Sequence, residues 1–264
     1  MKGNRMIRKC TEQDRLLIKN YLKNDAEYNT FFLADIDDFG FDSDIQTVYA
    51  DERDGQLKGV YLHIYKNLLV YSKTNEIDAD FLISYINDNA IDVVMGKIEN
   101  IEEAADLLPS HTLRSQCLYI LENAEYLEND ETGITKAQLS DADEIFAFIQ
   151  TISEIKALYT SKQMIIDRIE KNVGTHYMIR VDGQIIAQAN SAAASEFATM
   201  IGGVATGYEC RGQKLASKIV SRLCRDILAE GKKPCLFAIE NEEHNMYVKI
   251  GFVKAGRWGT MARG

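Results

Sequence analysis

The chain has 264 residues, of which 46% are hydrophobic and 27% are charged, a composition typical of a folded globular protein. Its 30 lysines and arginines are outnumbered by 40 aspartates and glutamates, which gives a net charge of -10. Binding to a nucleic-acid backbone needs clustered cations, so this balance excludes nucleic acid as the expected partner.

The apolar runs, the cysteines and the histidines indicate the cellular compartment of the protein and whether it binds a metal. The N-terminal MKGNRMIRKCTEQDR lacks the apolar core of a signal peptide. No window of the sequence reaches the roughly 18 consecutive apolar residues of a membrane span. The five cysteines form no Cys-x-x-Cys pair, and the four histidines show no ligand spacing. We expect a cytoplasmic protein with reduced thiols, no membrane partner and no metal site.

Two patterns near the start of the chain recur in its second half. The pattern I-x-K-x-x-x-x-D begins at Ile7 and again at Ile134, 127 residues later. Asp54-Gly55-Gln56 returns as Asp182-Gly183-Gln184, at an offset of 128. Asp-Gly alone is common in hairpins, but two matches at nearly one offset favour an internal duplication.

Each half is predicted to follow the same order of elements. A short strand, Met6–Cys10 or Ile134–Gln138, leads into a turn whose aspartate can cap a helix. In the second half, apolar residues then recur at helical spacing, and a hairpin with an Asp-Gly turn follows. The acidic segment 122–133 is interpreted as a linker. The prediction is two α+β domains, residues 1–125 and 126–264, each a mixed and mostly antiparallel sheet flanked by helices.

The loop after the apolar segment Met200–Thr206 predicts an anion site. A turn with Arg211, Gly212 and Lys214 follows, and a helix with one apolar face runs from Leu215 to a stop at Gly231. The first N–H groups of a helix have no intrahelical partner, and the helix dipole adds positive charge there. A pyrophosphate suits such a site, although the same residues are compatible with a plain charged turn.

The last segment predicts a strand, a short helix and a further strand pair. Pro234–Ile239 is the strand, and Asn241 and Asn245 can start a helix that contains Tyr247. Gly251 ends that helix, and Phe252 opens the strand pair toward Trp258.

These blocks resemble the GNAT superfamily of acyl-CoA-dependent N-acyltransferases. The resemblance is carried by V-x-T-x4-R-G-x-x-x-A from Val204 to Ala216 and by N-x-x-x-N-x-Y-x-K-I-G-F from Asn241 to Phe252. It covers roughly residues 134–264. Because the first half is similar in its opening helix and hairpin, the chain resembles a tandem GNAT protein with a degenerate N-terminal half.

The resemblance implies a role for each matching residue. Val204, Ala205 and Thr206 would contact the pantetheine arm of acetyl-CoA, and main-chain N–H groups from Arg211 to Ala216 would wrap its pyrophosphate. The loop residues concerned are Arg211, Gly212, Gln213, Lys214, Leu215 and Ala216. Asn241 would bind pantetheine, with Asn245 as the alternative, and Tyr247 would protonate the departing thiolate. Lys214 stands where such families usually carry glycine.

The expected activity is direct transfer of an acetyl group from acetyl-CoA to a primary amine in a ternary complex, by a monomer or a homodimer. The general base stays open, with Glu196 and Glu209 as the nearby acids. Cys210 lacks an adjacent base, which disfavours a covalent intermediate. The alternatives are a non-catalytic acyl-CoA-binding or interaction module and an aminoacyl transferase, the latter disfavoured by the charge. The first half carries Glu76 and Asp78 where the loop would be, so we expect no CoA site there.

Overall fold

The computed structural model of the chain describes residues 5–240 and 245–264. The first half is built from β1 Arg5–Lys9, α1 Arg15–Leu22, α2 Thr30–Phe39, β2 Gln46–Arg53, β3 Gln56–Ile64, β4 Asn67–Tyr71, α3 Ala79–Asp88, β5 Val93–Lys97, α4 Ile98–Leu107 and β6 His111–Ile120. The second half is built from β7 Ile134–Lys136, α5 Ala142–Gln150, α6 Gln163–Glu170, β8 His176–Val181, β9 Gln184–Ala194, β10 Ala198–Thr206, α7 Leu215–Ala229, β11 Lys233–Ala238, α8 Met246–Lys249 and β12 Val253–Arg263.

The chain divides into two compact units that do not follow the sequence order throughout. The first unit takes in the chain up to Leu118 together with Phe237–Ile239 and Ala255–Gly264. The second unit holds Tyr119–Leu236 and Glu240–Lys254. The predicted division into domains at residues 125 and 126 stays a prediction.

The first unit is a mixed sheet with helices packed against it. Its strands follow the order β1-β2-β3-β4-β5-β12-β6, and the pair β4–β5 is parallel, whereas β1–β2, β2–β3, β3–β4 and β5–β12 are antiparallel. The predicted strand pair near the C-terminus is wrong. One continuous strand, β12, runs from Val253 to Arg263, and its residues Trp258–Ala262 pair with β5. The core lies between this sheet and helices α3 and α4, where Leu82, Ile86 and Ile101 are fully buried.

The second unit repeats this α+β plan. Its strands follow the order β11-β10-β9-β8-β7, with β10–β11 parallel and the other pairs antiparallel. Ile145 and Ile149 of α5 and Ile165 of α6 are fully buried in one core cluster together with Met178 of β8. The hydroxyl of Tyr177 donates to Asp226 of α7 at 2.5 Å. Because side chains alternate along a strand, α5 and α6 cover one face of this sheet and α7 covers the other.

Both predicted hairpins are confirmed, with the same turn in each unit. Asp54 and Gly55 have φ of 49° and 75°, and Asp182 and Gly183 have φ of 49° and 81°. Two successive residues with positive φ form the tight turn that Asp-Gly favours, and the flanking strands β2–β3 and β8–β9 pair antiparallel.

The start of the first helix is also built alike in the two units. Asp14 accepts a hydrogen bond from the N–H of Thr11 at 2.9 Å, and Asp141 accepts one from the N–H of Gln138 at 2.7 Å. Asp14 and Asp141 are the aspartates of the repeated I-x-K-x-x-x-x-D pattern. The two copies of the pattern therefore form the same local structure, 127 residues apart. Among the helices of residues 5–240 and 245–264, none is long and apolar enough to cross a membrane.

Candidate active site

The predicted loop lies in the second unit, between the end of β10 and the start of α7. A single 3-10 turn, Tyr208–Cys210, follows β10, and the chain then passes through Arg211–Lys214 before α7 begins at Leu215. Gly212 has φ of 81° and Lys214 has φ of 60°, both in the left-handed region. Lys214 therefore adopts a conformation that glycine adopts with less strain, as the resemblance implies for this position.

The loop leaves a run of main-chain donors unsatisfied. Within the part of the chain that the structure describes, no acceptor receives the N–H groups from Gly212 to Ser217, and no side chain caps α7. The 15-residue helix behind them adds the positive end of its dipole. Successive free N–H groups at a helix start form an anion-binding concavity. The predicted cofactor residues thus lie together in the loop and the first turn of α7: Arg211, Gly212, Gln213, Lys214, Leu215 and Ala216.

The cations of the loop are paired with carboxylates of the same unit. Arg211 Nη2 lies 2.8 Å from Oε1 of Glu154, and its guanidinium stacks over the Tyr208 ring at 4.3 Å. The hydrogen bond from Arg211 lowers the pKa of Glu154 to about 2. Lys214 Nζ lies 3.1 Å from Oε1 of Glu128. The positive charges of Arg211 and Lys214 are therefore partly neutralised by Glu154 and Glu128. A phosphate bound at the loop would either replace these carboxylates or bind beside them.

The acidic segment interpreted as a linker lies along α7. Glu131 bridges Arg222 at 2.7 Å and Arg225 at 2.9 Å, and the N–H of Glu128 donates to Ser221 at 3.0 Å. A hydrogen bond from Lys218 lowers the pKa of Asp130 to about 2. Residues 128–131 are thus held against α7 by a network of ion pairs and hydrogen bonds with its side chains.

Strand β10 carries a β-bulge just before Val204, Ala205 and Thr206. Gly202 pairs with Asn190 and Ala205 pairs with Gln188, so β10 holds one residue more than β9 in this interval. On its other side β10 pairs with β11 from Ala198 to Ile201. Among the described residues, the rest of β10 pairs with β9 alone, which leaves main-chain groups around Val204 free for a ligand.

Gly203 makes the bulge and cannot be replaced without displacement of neighbours. Its φ is 58°, and a Cβ there would lie 2.3 Å from Oδ1 of Asn190 and 2.3 Å from the hydroxyl of Tyr159. Tyr159 donates to Asn190 at 2.6 Å, and the Gln188 amide donates to the carbonyl oxygen of Gly203. The bulge is thus held by buried polar side chains.

Two further residues extend this polar group across the sheet. His176 is 2% exposed, pairs with Asn190 across β8 and β9, and receives a contact of 3.1 Å at Nε2 from Nη1 of Arg168. We call Tyr159, Arg168, His176, Gln188 and Asn190 the bulge cluster. None of these five residues was predicted from the sequence. The sequence does carry one signal for this cluster, since the amides of Gln188 and Asn190 stand at alternate positions of the apolar strand β9.

Tyr247 lies in α8, beside α7. Burial raises the pKa of its hydroxyl to about 12, and Cys224 of α7 adds to the rise. Within residues 5–240 and 245–264, the hydroxyl has no hydrogen-bond partner, and the ring packs edge-on against Phe252 at 5.9 Å. Asn245 caps α8, because its Oδ1 accepts from the N–H of Tyr247 at 2.9 Å. Asn241 lies outside the described residues.

The acids considered as general bases have no supporting contacts. Glu196 and Glu209 are exposed, and no hydrogen bond or ion pair involves either within the described part of the chain. Cys210 is half-buried. Among the described residues, no group of His, Cys, Asp and Glu side chains could hold a metal ion.

Comparisons with known proteins agree with this architecture. Residues 158–261 match the family model described as GNAT acetyltransferase. No protein of curated function matches the chain.

The similar solved structures show the fold. A Drosophila melanogaster protein superposes with a TM-score of 0.71 at 12% identity, over 99% of this chain and 99% of that one. A GNAT-family acetyltransferase from Colwellia psychrerythraea has a TM-score of 0.57 at 14% identity, over 98% of this chain and 100% of that one. A tandem GNAT protein from the clavulanic acid biosynthesis pathway has a TM-score of 0.57 at 10% identity, over 98% of each chain.

The family model covers residues 158–261, and the solved structures that are similar to the whole chain show its fold. Residues 158–261 therefore belong to the GNAT acetyltransferase family, within a chain that has the fold of solved GNAT proteins.

Proposed function

We propose that the chain is an N-acetyltransferase that moves the acetyl group of acetyl-CoA to a primary amine. The observation that carries this proposal is the run of unsatisfied N–H groups from Gly212 to Ser217 at the start of α7. A pyrophosphate supplies the acceptors that these donors lack, and the helix dipole favours its negative charge.

The rest of the cofactor follows the free side of β10. Val204, Ala205 and Thr206 would present main-chain groups to the pantetheine arm, since Ala205 and Thr206 pair with β9 alone among the described residues and Val204 lies in the bulge. An N–H group there would polarise the acetyl carbonyl, because a donor fixed in place stabilises the charge that develops on oxygen. Asn241 or the capping residue Asn245 would supply a side-chain contact to the arm.

Direct transfer needs a proton for the leaving sulfur. The neutral amine nitrogen attacks the acetyl carbon, the carbon–sulfur bond breaks, and its electron pair stays on sulfur. Tyr247 donates its hydroxyl proton to that sulfur, while the proton lost by the amine goes to solvent. The unpartnered hydroxyl and its raised pKa support this role, because the group stays protonated across physiological pH.

The first unit would not bind the cofactor. Side chains of the first unit occupy main-chain donors of the segment after β4: Asp78 accepts from the N–H of Phe81 at 2.9 Å, and Asn100 of α4 accepts from the N–H of Ser72 at 2.8 Å. Asp80 adds a second acid to the first turn of α3. The matching position is therefore capped and negatively charged, which opposes a phosphate.

Composition supports the remaining parts of the proposal. The five cysteines are free thiols, which suits a reducing cytoplasm. The net charge of -10 favours a cationic amine acceptor over nucleic acid. We propose a cytoplasmic monomer or homodimer.

Calorimetric titration of acetyl-CoA tests the proposal. We expect one site per chain for the wild type. Arg211→Glu should lose most of the binding, and Gln213→Glu should weaken it about tenfold because it places a negative charge beside the phosphate. Gln184→Glu is the matched control, since Gln184 is exposed and begins β9 at the hairpin turn; its affinity should equal the wild type.

Turnover then separates the two functions. Release of CoA in the presence of a panel of primary amines supports the enzyme. Binding at the loop without turnover of any amine favours the non-catalytic acyl-CoA-binding module. Equal affinity in all four proteins, or two sites per chain, contradicts the assigned loop.

A further inference from the structure

Arg168 of α6 differs from the other arginines of the second unit. Each of the others lies within 3.1 Å of a carboxylate: Arg180 with Asp141, Arg211 with Glu154, Arg222 with Glu131 and Arg225 with Glu131. Arg168 has no carboxylate partner among the described residues, although it is half-buried. A guanidinium taken partly out of water without a counter-charge is costly, so such a group is typical of a ligand site.

Neutral groups hold this guanidinium in place. Its Nη1 lies 3.1 Å from Nε2 of His176, and a guanidinium can only donate. Nε2 is therefore the acceptor, and the imidazole is neutral with its proton on Nδ1. The side-chain stem packs against Gly174, where an added Cβ would lie 2.7 Å from Cγ and Cδ of Arg168. The fork is thus oriented by His176 and by a hydrogen bond with Tyr159, and among the described residues its other donors meet no carboxylate.

The position of Arg168 relative to the bulge suggests what it binds. His176, Asn190 and Gly202 form one row across β8, β9 and β10. Arg168 contacts this row from the α6 side of the sheet, whereas α7 lies on the other face, as the bond from Tyr177 to Asp226 shows. A ligand at Arg168 would therefore approach the bulge from the face opposite to α7.

The neutral polar groups of the bulge cluster are matched to one another. Gln188 acts as a hydrogen-bond partner of His176, and Tyr159 donates to Asn190. His176 is 2% exposed and Gln188 is fully buried. The guanidinium of Arg168 is therefore the charged group of the bulge cluster that lacks a counter-charge among the described residues.

We propose that Arg168 binds a carboxylate of the acceptor, so that the enzyme acetylates amines that also carry a carboxylate group. This inference rests on the proposed acetyltransferase function. One guanidinium balances one carboxylate through a two-pronged contact. A phosphate carries up to two charges and would need a second cation, whereas Arg168 is the one cation that acts on His176 and Tyr159 among the described residues.

Matched acceptors that differ by one carboxylate test the proposal. The pairs are L-lysine with cadaverine, L-ornithine with putrescine and L-phenylalanine with phenethylamine, and phosphoethanolamine is the phosphate arm. For the wild type we expect kcat/KM to be about 10- to 100-fold higher for the carboxylate member, the range that a charge-assisted hydrogen bond supplies. Arg168→Met should remove that ratio by raising KM, and Arg168→Lys should keep part of it.

Lys171→Met is the matched control, since it removes one positive charge from the end of the same helix and its amine is exposed beside Asp167. It should keep the wild-type ratio, and every variant should keep the wild-type affinity for acetyl-CoA. Turnover without a preference for carboxylates, or with a preference for phosphoethanolamine, overturns the inference but leaves the proposed function intact.

A binding measurement covers the case in which no acceptor turns over. With CoA present, the carboxylate members should raise the melting temperature of the wild type but not that of Arg168→Met. If they shift neither protein, the carboxylate site is overturned. Failure of acetyl-CoA itself to bind would instead contradict the proposed function.

Discussion

The side-chain amide of Gln188 donates a hydrogen bond to the carbonyl oxygen of Gly203, at the point where β10 holds one residue more than β9. Both groups are buried, so breaking this bond would leave a main-chain carbonyl unsatisfied in the interior. The bond fixes the bulge, and the bulge sets the direction of the strand segment that begins at Val204.

Replacement of Gly203 by alanine should disrupt the second unit. The new Cβ would lie 2.3 Å from two oxygen atoms and would have to adopt a positive φ. Strain and overpacking together should lower the free energy of unfolding by about 2 to 5 kcal/mol. Gly183→Ala is the control, because Gly183 has φ of 81° with nothing within 4 Å of the added atom. Denaturant unfolding of both variants makes the comparison, and equal losses would contradict the steric role of the cluster.

Lys214→Gly should make the protein more stable. Lys214 has φ of 60°, and a non-glycine residue in this region costs about 1–2 kcal/mol. Glycine removes that strain but adds freedom to the unfolded chain and loses the contact with Glu128, so we expect a net gain of about 0.5 kcal/mol.

Lys214→Ala separates strain from charge. It loses the same ion pair but keeps a Cβ at the strained position, so it should be no more stable than the wild type. The midpoint of urea unfolding measures both variants. A stability gain of equal size in Lys214→Ala would show that charge, and not backbone strain, sets the effect.

Tyr247→Phe should lower kcat about 100-fold or more while the affinity for acetyl-CoA stays unchanged, since it removes a proton donor and little volume. The wild-type pH profile should rise as the amine loses its proton near pH 10.4. With the pKa of Tyr247 at about 12, no fall from its ionisation is expected below about pH 11. Tyr126→Phe, an exposed tyrosine of the same unit, is the control. A wild-type rate in Tyr247→Phe would exclude the general acid.

The sequence was most informative where one residue type determines local geometry. Asp-Gly turns, the helix-starting aspartates and the stop at Gly231 depend on short-range chemistry, so both hairpins and the start and end of α7 could be predicted. The position of the loop between β10 and α7 could be predicted for the same reason, since glycine and cations at a helix start form a local pattern. The cofactor role of its residues stays a prediction.

What the sequence did not predict depends on contacts between distant segments. Arg168, His176 and Asn190 meet through strand register and helix packing, and single polar residues in apolar strands do not reveal their partners. The pairing of Glu131 with Arg222 and Arg225 joins residues more than 90 positions apart. The pairing of β12 with β5 is similar, because the position of a terminal strand is determined by the partner edge that is available.

His176 should make stability depend on pH in a defined window. Burial, with the charge of Arg168 in addition, lowers its pKa to about 3, whereas an unfolded histidine titrates near 6.5. The unfolded chain therefore takes up this proton below pH 6.5 while the folded chain does not, so stability falls as the pH drops from 6.5 toward 3 and levels off below. The variant His176→Gln lacks this pH-dependent contribution, so the difference in unfolding free energy between wild type and variant should be largest at pH 7 and smaller at pH 4.

Urea unfolding of both proteins at pH 7, 5.5 and 4 measures this difference. NMR of the imidazole nitrogens should find His176 neutral at pH 5. A histidine that titrates near 6.5 in the folded protein would mean that the bulge cluster is open to solvent.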